Sequence, residues 1–229
     1  MTKSEIYTFV TSLLNEIQID VTLFTSLLDN AQMRIEGMRP WVILRGSDVS
    51  QTANVGDDFT TSKTLAADFR EWYDEAPIQL ISAQNTSLPL VEVPYADRYV
   101  YKSSGGRFCV DYANNRFYLL TTVQQPYTIL QNYIKLSTLV SSADSATWVF
   151  PERFHKILGL MVAEMWKNGI DYDVISNSQA TQQSAQAAAI LNEMTRWDSR
   201  LQLNMTRGID QSQNLNTFNT GLMNGTNIF

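Results

Sequence analysis

Histidine and cysteine are almost missing from this sequence: there is one of each in 229 residues, His155 and Cys109. Proton shuttling near neutral pH, soft-metal ligation and activated-thiol chemistry depend on those two side chains, so little is left to carry them. No metal site and no cofactor is expected. A lone cysteine also excludes an internal disulfide and fits synthesis in a reducing cytosol, where the N-x-S/T sequences at Asn85, Asn204 and Asn224 are chance. Long apolar runs are missing too: nothing approaches the roughly 18 uncharged residues of a membrane span. Met1 to Val10 has no basic region followed by an apolar core, so no signal peptide is expected, and the chain should be soluble with no membrane partner.

Clustered positive charge is the third absence. The net charge is -6, from 17 basic and 23 acidic residues, and the basic ones are scattered. Tight nucleic-acid binding needs grouped Lys and Arg to neutralise phosphates, so it is not expected. Gly105-Gly106 lacks the Gly-x-x-x-x-Gly-Lys context of a phosphate loop and reads as a turn.

What is present is a globular composition, 44% apolar and 17% charged, enough for one sizeable core. Ile6, Val10, Leu13 and Ile17 behind a Ser4 N-cap predict one amphipathic helix, and Val21, Phe24, Leu28, Ala31, Ile35 and Met38 behind Asp20 predict a second. Gly37 and Pro40 should end it. From Trp41 the pattern becomes strand-like. Trp41–Leu44 is a short apolar segment, Gly46–Asp58 has the polarity of an exposed loop, and Leu65–Tyr73 stays ambiguous between helix and strand. Pro77–Ser82, Leu90–Pro94 and Tyr99–Lys102 predict strands.

Phe108–Tyr112 and Arg116–Leu120 flank Asn114-Asn115, a pair that tolerates positive φ and so predicts a hairpin. Tyr127–Leu136 alternates as a further antiparallel strand. Pro151 and Glu152 open a helix whose Phe154, Ile157, Leu158, Met161, Met165 and Trp166 are apolar nearly all round, so it should be the buried one. After Asn168-Gly169 and a stretch from Asp171 to Ser178, Ala187, Ile190, Met194, Trp197 and Leu201 predict a long last helix. Beyond Arg207 the sequence is polar with isolated apolar residues, which predicts an extended tail that orders on binding or has no role.

Candidate chemistry is thin. His155 near the start of the third helix and Cys109 in a hairpin strand both read as structural. The carboxylate pairs Asp57/Asp58 and Asp171/Asp173 could do general acid/base work, but they sit at loops and helix starts where Asp caps and solvates. Tyr95, Tyr99, Tyr101, Phe108, Tyr112, Phe117 and Tyr118 could form a core, a subunit interface or a carbohydrate platform, with core and interface favoured because no polar cluster accompanies them.

The order of these elements, a helical pair, a β region with the hairpin Phe108-Cys-Val-Asp-Tyr-Ala-Asn-Asn-Arg-Phe-Tyr-Leu-Leu, a Tyr-rich strand, then Phe150-Pro-Glu-Arg-Phe-His-Lys-Ile-Leu and a last long helix, with Tyr127 through Trp166 as its most specific passage, resembles the head-to-tail connector (portal adaptor) proteins of tailed bacteriophages over roughly residues 1–205. The resemblance implies an α+β fold: a helical bundle of about four helices with an inserted antiparallel β region and an extended C-terminal tail. The expected divisions are a helical hairpin at 1–39, the β region at 40–147, a helical pair at 148–206 and the polar tail at 207–229.

It implies a structural virion protein at the head-tail junction, made in the host cytoplasm, and no enzyme. Its copies would form a ring, usually of twelve, below the portal protein, joined to a downstream neck or tail protein, with DNA passing through the lumen without tight or specific binding. Leu215, Phe218, Leu222, Met223, Ile228 and Phe229 are the candidate portal-docking residues of the tail. The alternatives are another neck or tail completion protein and, from a different class, a glycan-binding or glycan-cleaving module built on the aromatic β region and Asp57/Asp58.

Overall fold

The computed structural model describes residues 1–170 and 174–222, with side chains described through residue 204. Its contacts divide the chain into two units, one of residues 1–38 with 138–229 and one of residues 39–137.

The first unit is helical. α1 (Lys3–Leu13) begins earlier than the Ser4 cap would place it, because Thr2 accepts from the Glu5 amide while the Glu5 carboxylate accepts from the Thr2 amide, a reciprocal capping box. α2 (Val21–Glu36) starts where expected, with Asp20 accepting from the amides of Thr22 and Leu23. Gly37 follows it in a right-handed conformation, so this helix ends without a left-handed cap. A 3-10 turn at Glu152–Phe154 leads into α3 (Lys156–Gly169), whose run from Ile157 to Ala163 is buried throughout. That is the helix the sequence marks as apolar all round. α1, α2 and α4 (Asn177–Leu222) each pack on it. At Gly159 a Cβ would lie 2.5 Å from the Phe9 ring, so glycine sets how closely α1 and α3 approach.

The second unit is a sheet. Among the described residues it has eight strands: β1 (Arg45–Ala53), β2 (Ser62–Thr64), β3 (Phe69–Trp72), β4 (Ile78–Ile81), β5 (Ser87–Val93), β6 (Arg107–Asp111), β7 (Arg116–Leu119) and β8 (Tyr127–Lys135). Their order is β1-β8-β4-β5-β6-β7-β2, with β3 also paired to β8. All pairs are antiparallel except β5 with β6, which run parallel, so residues 94–106 form the crossover that a parallel pair requires. Inward residues of β4, β6, β7 and β8, among them Ile78, Leu80, Phe108, Val110, Phe117 and Ile129, make one core with Leu65 and Leu90. β1 and β2, the two ends of the order, meet through side chains: the Gln51 carboxamide donates to the Thr64 carbonyl at 2.5 Å and accepts from its amide at 3.1 Å. The sheet is thereby a nearly closed barrel.

The expected helical bundle carrying an inserted antiparallel β region and an extended tail is corrected on three counts. The β region is a mixed, nearly closed sheet with a core of its own rather than an elaboration of a bundle. It is not wholly antiparallel, because the turn-rich stretch after Val93 crosses over to a parallel partner. Past Arg207 the chain continues as helix in α4 to Leu222.

Local assignments shift as well. Gly46–Asp58 is mostly strand: β1 pairs with β8 from Arg45↔Ile134 to Ala53↔Tyr127 with a bulge between Asp48 and Gln51. Its polar residues are tolerated because the strand lies at the end of the sheet order. Val42–Leu44 is a 3-10 turn rather than a strand, and Tyr99–Lys102 is turn within the crossover. The hairpin, by contrast, is where the Asn pair puts it, with Asn115 at φ 57°.

Candidate functional site: contact surfaces

His155 is 3% exposed and both ring nitrogens are engaged, Nε2 with the Phe150 carbonyl at 2.7 Å and Nδ1 with the Met1 amino group at 2.6 Å. It ties helical segments together and presents no nitrogen to a substrate. Cys109 is buried in β6, and burial pushes its thiol up to about 11, so it has no thiolate at neutral pH.

Asp57 and Asp58 do not form an acid/base pair. Burial alone would raise the Asp57 carboxyl, but a 2.6 Å contact with Lys63, with help from the Asn54 amide, holds it below its usual value. Hydrogen bonds from the Thr60 hydroxyl and amide lower Asp58 in the same direction. A general acid needs the opposite shift, which is absent from both. Asp171 and Asp173 lie outside the described residues. Among the described residues no group of three His, Cys, Asp or Glu is placed to hold a metal, and no helix is long and apolar enough to cross a membrane.

The aromatic residues of the β region separate into two sets. Phe108 and Phe117 meet edge to face inside the barrel with ring centroids 6.5 Å apart. Tyr95, Tyr99 and Tyr118 instead gather around Arg98, whose guanidinium lies 4.4, 4.7 and 5.7 Å from their ring centres and donates to the hydroxyls of Tyr95 and Tyr99. Arg107 stacks on Tyr101 at 4.4 Å. Tyr112 donates to Glu92 at 2.9 Å, and burial followed by that bond pushes its hydroxyl up to about 12.

These stacked arginines fix the crossover and leave Tyr99 at 59% and Val100 at 77% exposure, which is an apolar tip held in place by its own supports. Such rigid, amphipathic aromatics are what contact surfaces use. In the helical unit, a groove of about 180 Å³ runs between α2, α3 and α4, floored by Ile157 and Met161 and walled by Met38, Ala188 and Leu191.

Two polar networks have no signature in the sequence. Glu36, 5% exposed, accepts from the Trp148 indole at 2.7 Å and from Gln32 at 3.0 Å. Gln131, fully buried, reaches the Ala66 amide, the Thr64 carbonyl and Asp48. Gln32 is one helical turn from Glu36, but Trp148 lies 112 residues away and the partners of Gln131 lie 65 to 83 residues away, and no local pattern announces those contacts. Leu215, Phe218 and Leu222 fall on α4 beyond residue 204, where side chains are not described, and Met223, Ile228 and Phe229 lie outside the described residues altogether.

No curated protein matches the chain. The family model of the SU10 adaptor protein matches residues 1–208. The chain therefore belongs to the SU10 adaptor protein family, a family of phage head-to-tail adaptors.

Proposed function

We propose that this protein assembles as a ring below the portal protein, extends the DNA channel and hands the capsid vertex on to a neck or tail protein. Family membership makes it a structural component of the phage particle, and the match over residues 1–208 is the observation that carries the reading. Ring subunits need two different, mutually complementary faces, because a head-to-tail contact closes only when its rotation does. The exposed Arg98-supported tip in one unit and the α2–α3–α4 groove in the other support this reading as two surfaces of different character. A net charge of -6 suits a lumen that repels the duplex and lets it slide.

The C-terminal segment, with Leu215, Phe218, Leu222, Met223, Ile228 and Phe229, is the part we assign to portal docking: its apolar residues lie at the far end of the longest helix and just beyond it. Copurification with the cognate portal tests this. Full-length protein should be retained by immobilised portal and a variant lacking residues 208–229 should not. Equal retention of the two would assign the contact to another surface, and retention of neither would favour a neck or tail completion protein that meets the tail instead.

A further inference from the structure

The two halves of the barrel seam are not joined like the rest of the sheet. Every other neighbouring pair of strands shares a backbone ladder, whereas β1 and β2 meet through the Gln51 carboxamide, which supplies Thr64 with the donor and acceptor that a strand residue would have offered. Beside it, the fully buried Gln131 of β8 accepts from the Ala66 amide at 3.3 Å and donates to the Thr64 carbonyl at 3.2 Å and to Asp48 at 3.3 Å. On its other side the same segment is held conventionally: β2 ladders with β7, and the Leu65 amide donates to the Asn115 carbonyl at 3.0 Å. Successive amides of one segment thus depend on different partners, Thr64 and Ala66 on glutamine side chains and Leu65 on backbone.

We propose that Gln51 and Gln131 are a latch, and that the barrel opens along this seam as a local event, with β2 staying on β7 and parting from β1 and β8. A side-chain amide can rotate away about its own torsions, while a ladder breaks only by moving backbone, so the seam is the boundary of lowest cost. Opening it bares the edge of β1 and the Thr64–Ala66 edge together, without disturbing the ladders that hold β4 to β7. The seam geometry alone carries this latch, independently of the adaptor reading.

Residue-resolved amide hydrogen exchange on the full-length protein tests it. In the wild type the Thr64 and Ala66 amides should exchange at least about tenfold faster than those of Leu65 and Val110. Gln51→Ala should speed Thr64 and Gln131→Leu should speed Ala66, each by a further factor of about ten, with Leu65 and Val110 unchanged. Exchange of Thr64 and Ala66 at the rate of Val110 would overturn the latch. So would a uniform acceleration of all barrel amides in both variants, which would make the glutamines ordinary contributors to global stability.

Discussion

Glu36 and Cys109 show how single residues set what this protein can and cannot do. Removing the Glu36 carboxylate takes away the 2.7 Å acceptor of the buried Trp148 indole N–H and one acceptor of the Gln32 amide, which keeps the Thr138 carbonyl at 3.1 Å. Glu36→Ala should therefore cost about 2–3 kcal/mol in urea unfolding, and Glu36→Gln, which keeps an acceptor oxygen, less than half of that. Cys109 gives a pH dependence with a definite sign. Its thiol rises from 9.0 to about 11 in the fold because burial disfavours the thiolate. The stabilisation is full below pH 9, the unfolded value, and is lost as pH climbs through about 11. The wild type should accordingly lose more Tm between pH 9 and 11 than Cys109→Ala does, and native Cys109 should resist a thiol reagent at pH 8 until denaturant is added. Parallel Tm curves for the two proteins would contradict the assignment. The single His and Cys, expected from their scarcity and their places in the sequence to be structural, are both buried. Glu36 and Gln131 are not legible in that way, because the Trp148 indole that meets Glu36 and the strand segment that meets Gln131 are remote in the chain.

Elements whose signals are local are legible: the Asp20 cap, the Asn114-Asn115 hairpin, the alternation of β8 and the buried character of α3. Elements defined by a neighbour are not. β1 is polar because it ends the sheet order, so its composition matches a loop, and β5 gives no sign that its next partner lies parallel across residues 94–106. Two substitutions probe the elements directly. Asn115 adopts φ 57°, so Asn115→Val should destabilise the hairpin by about 1–2 kcal/mol while Asn115→Gly is nearly neutral, as read from denaturant midpoints. Gly159→Ala drives a methyl into Phe9 at the α1–α3 crossing and should cost about 1–3 kcal/mol. Part of that loss should return in the double variant with Phe9→Leu, and a fully additive double variant would mean the clash is not what matters.

At the scale of the molecule, histidine and cysteine are scarce, at one each, and element order carries the resemblance to head-to-tail adaptors that family membership upholds. The architecture is hidden at this scale, because a bundle with an insert and a helical unit joined to a self-contained barrel share the same order of elements along the chain. They differ only in long-range pairing, which one sequence does not display. The central claim is that this subunit becomes a ring when it meets a portal. Native mass spectrometry of the protein with and without its cognate portal measures that directly, and the predicted result is a small species alone and a single closed complex of fixed stoichiometry on the portal. Unassembled subunit in both samples would contradict it.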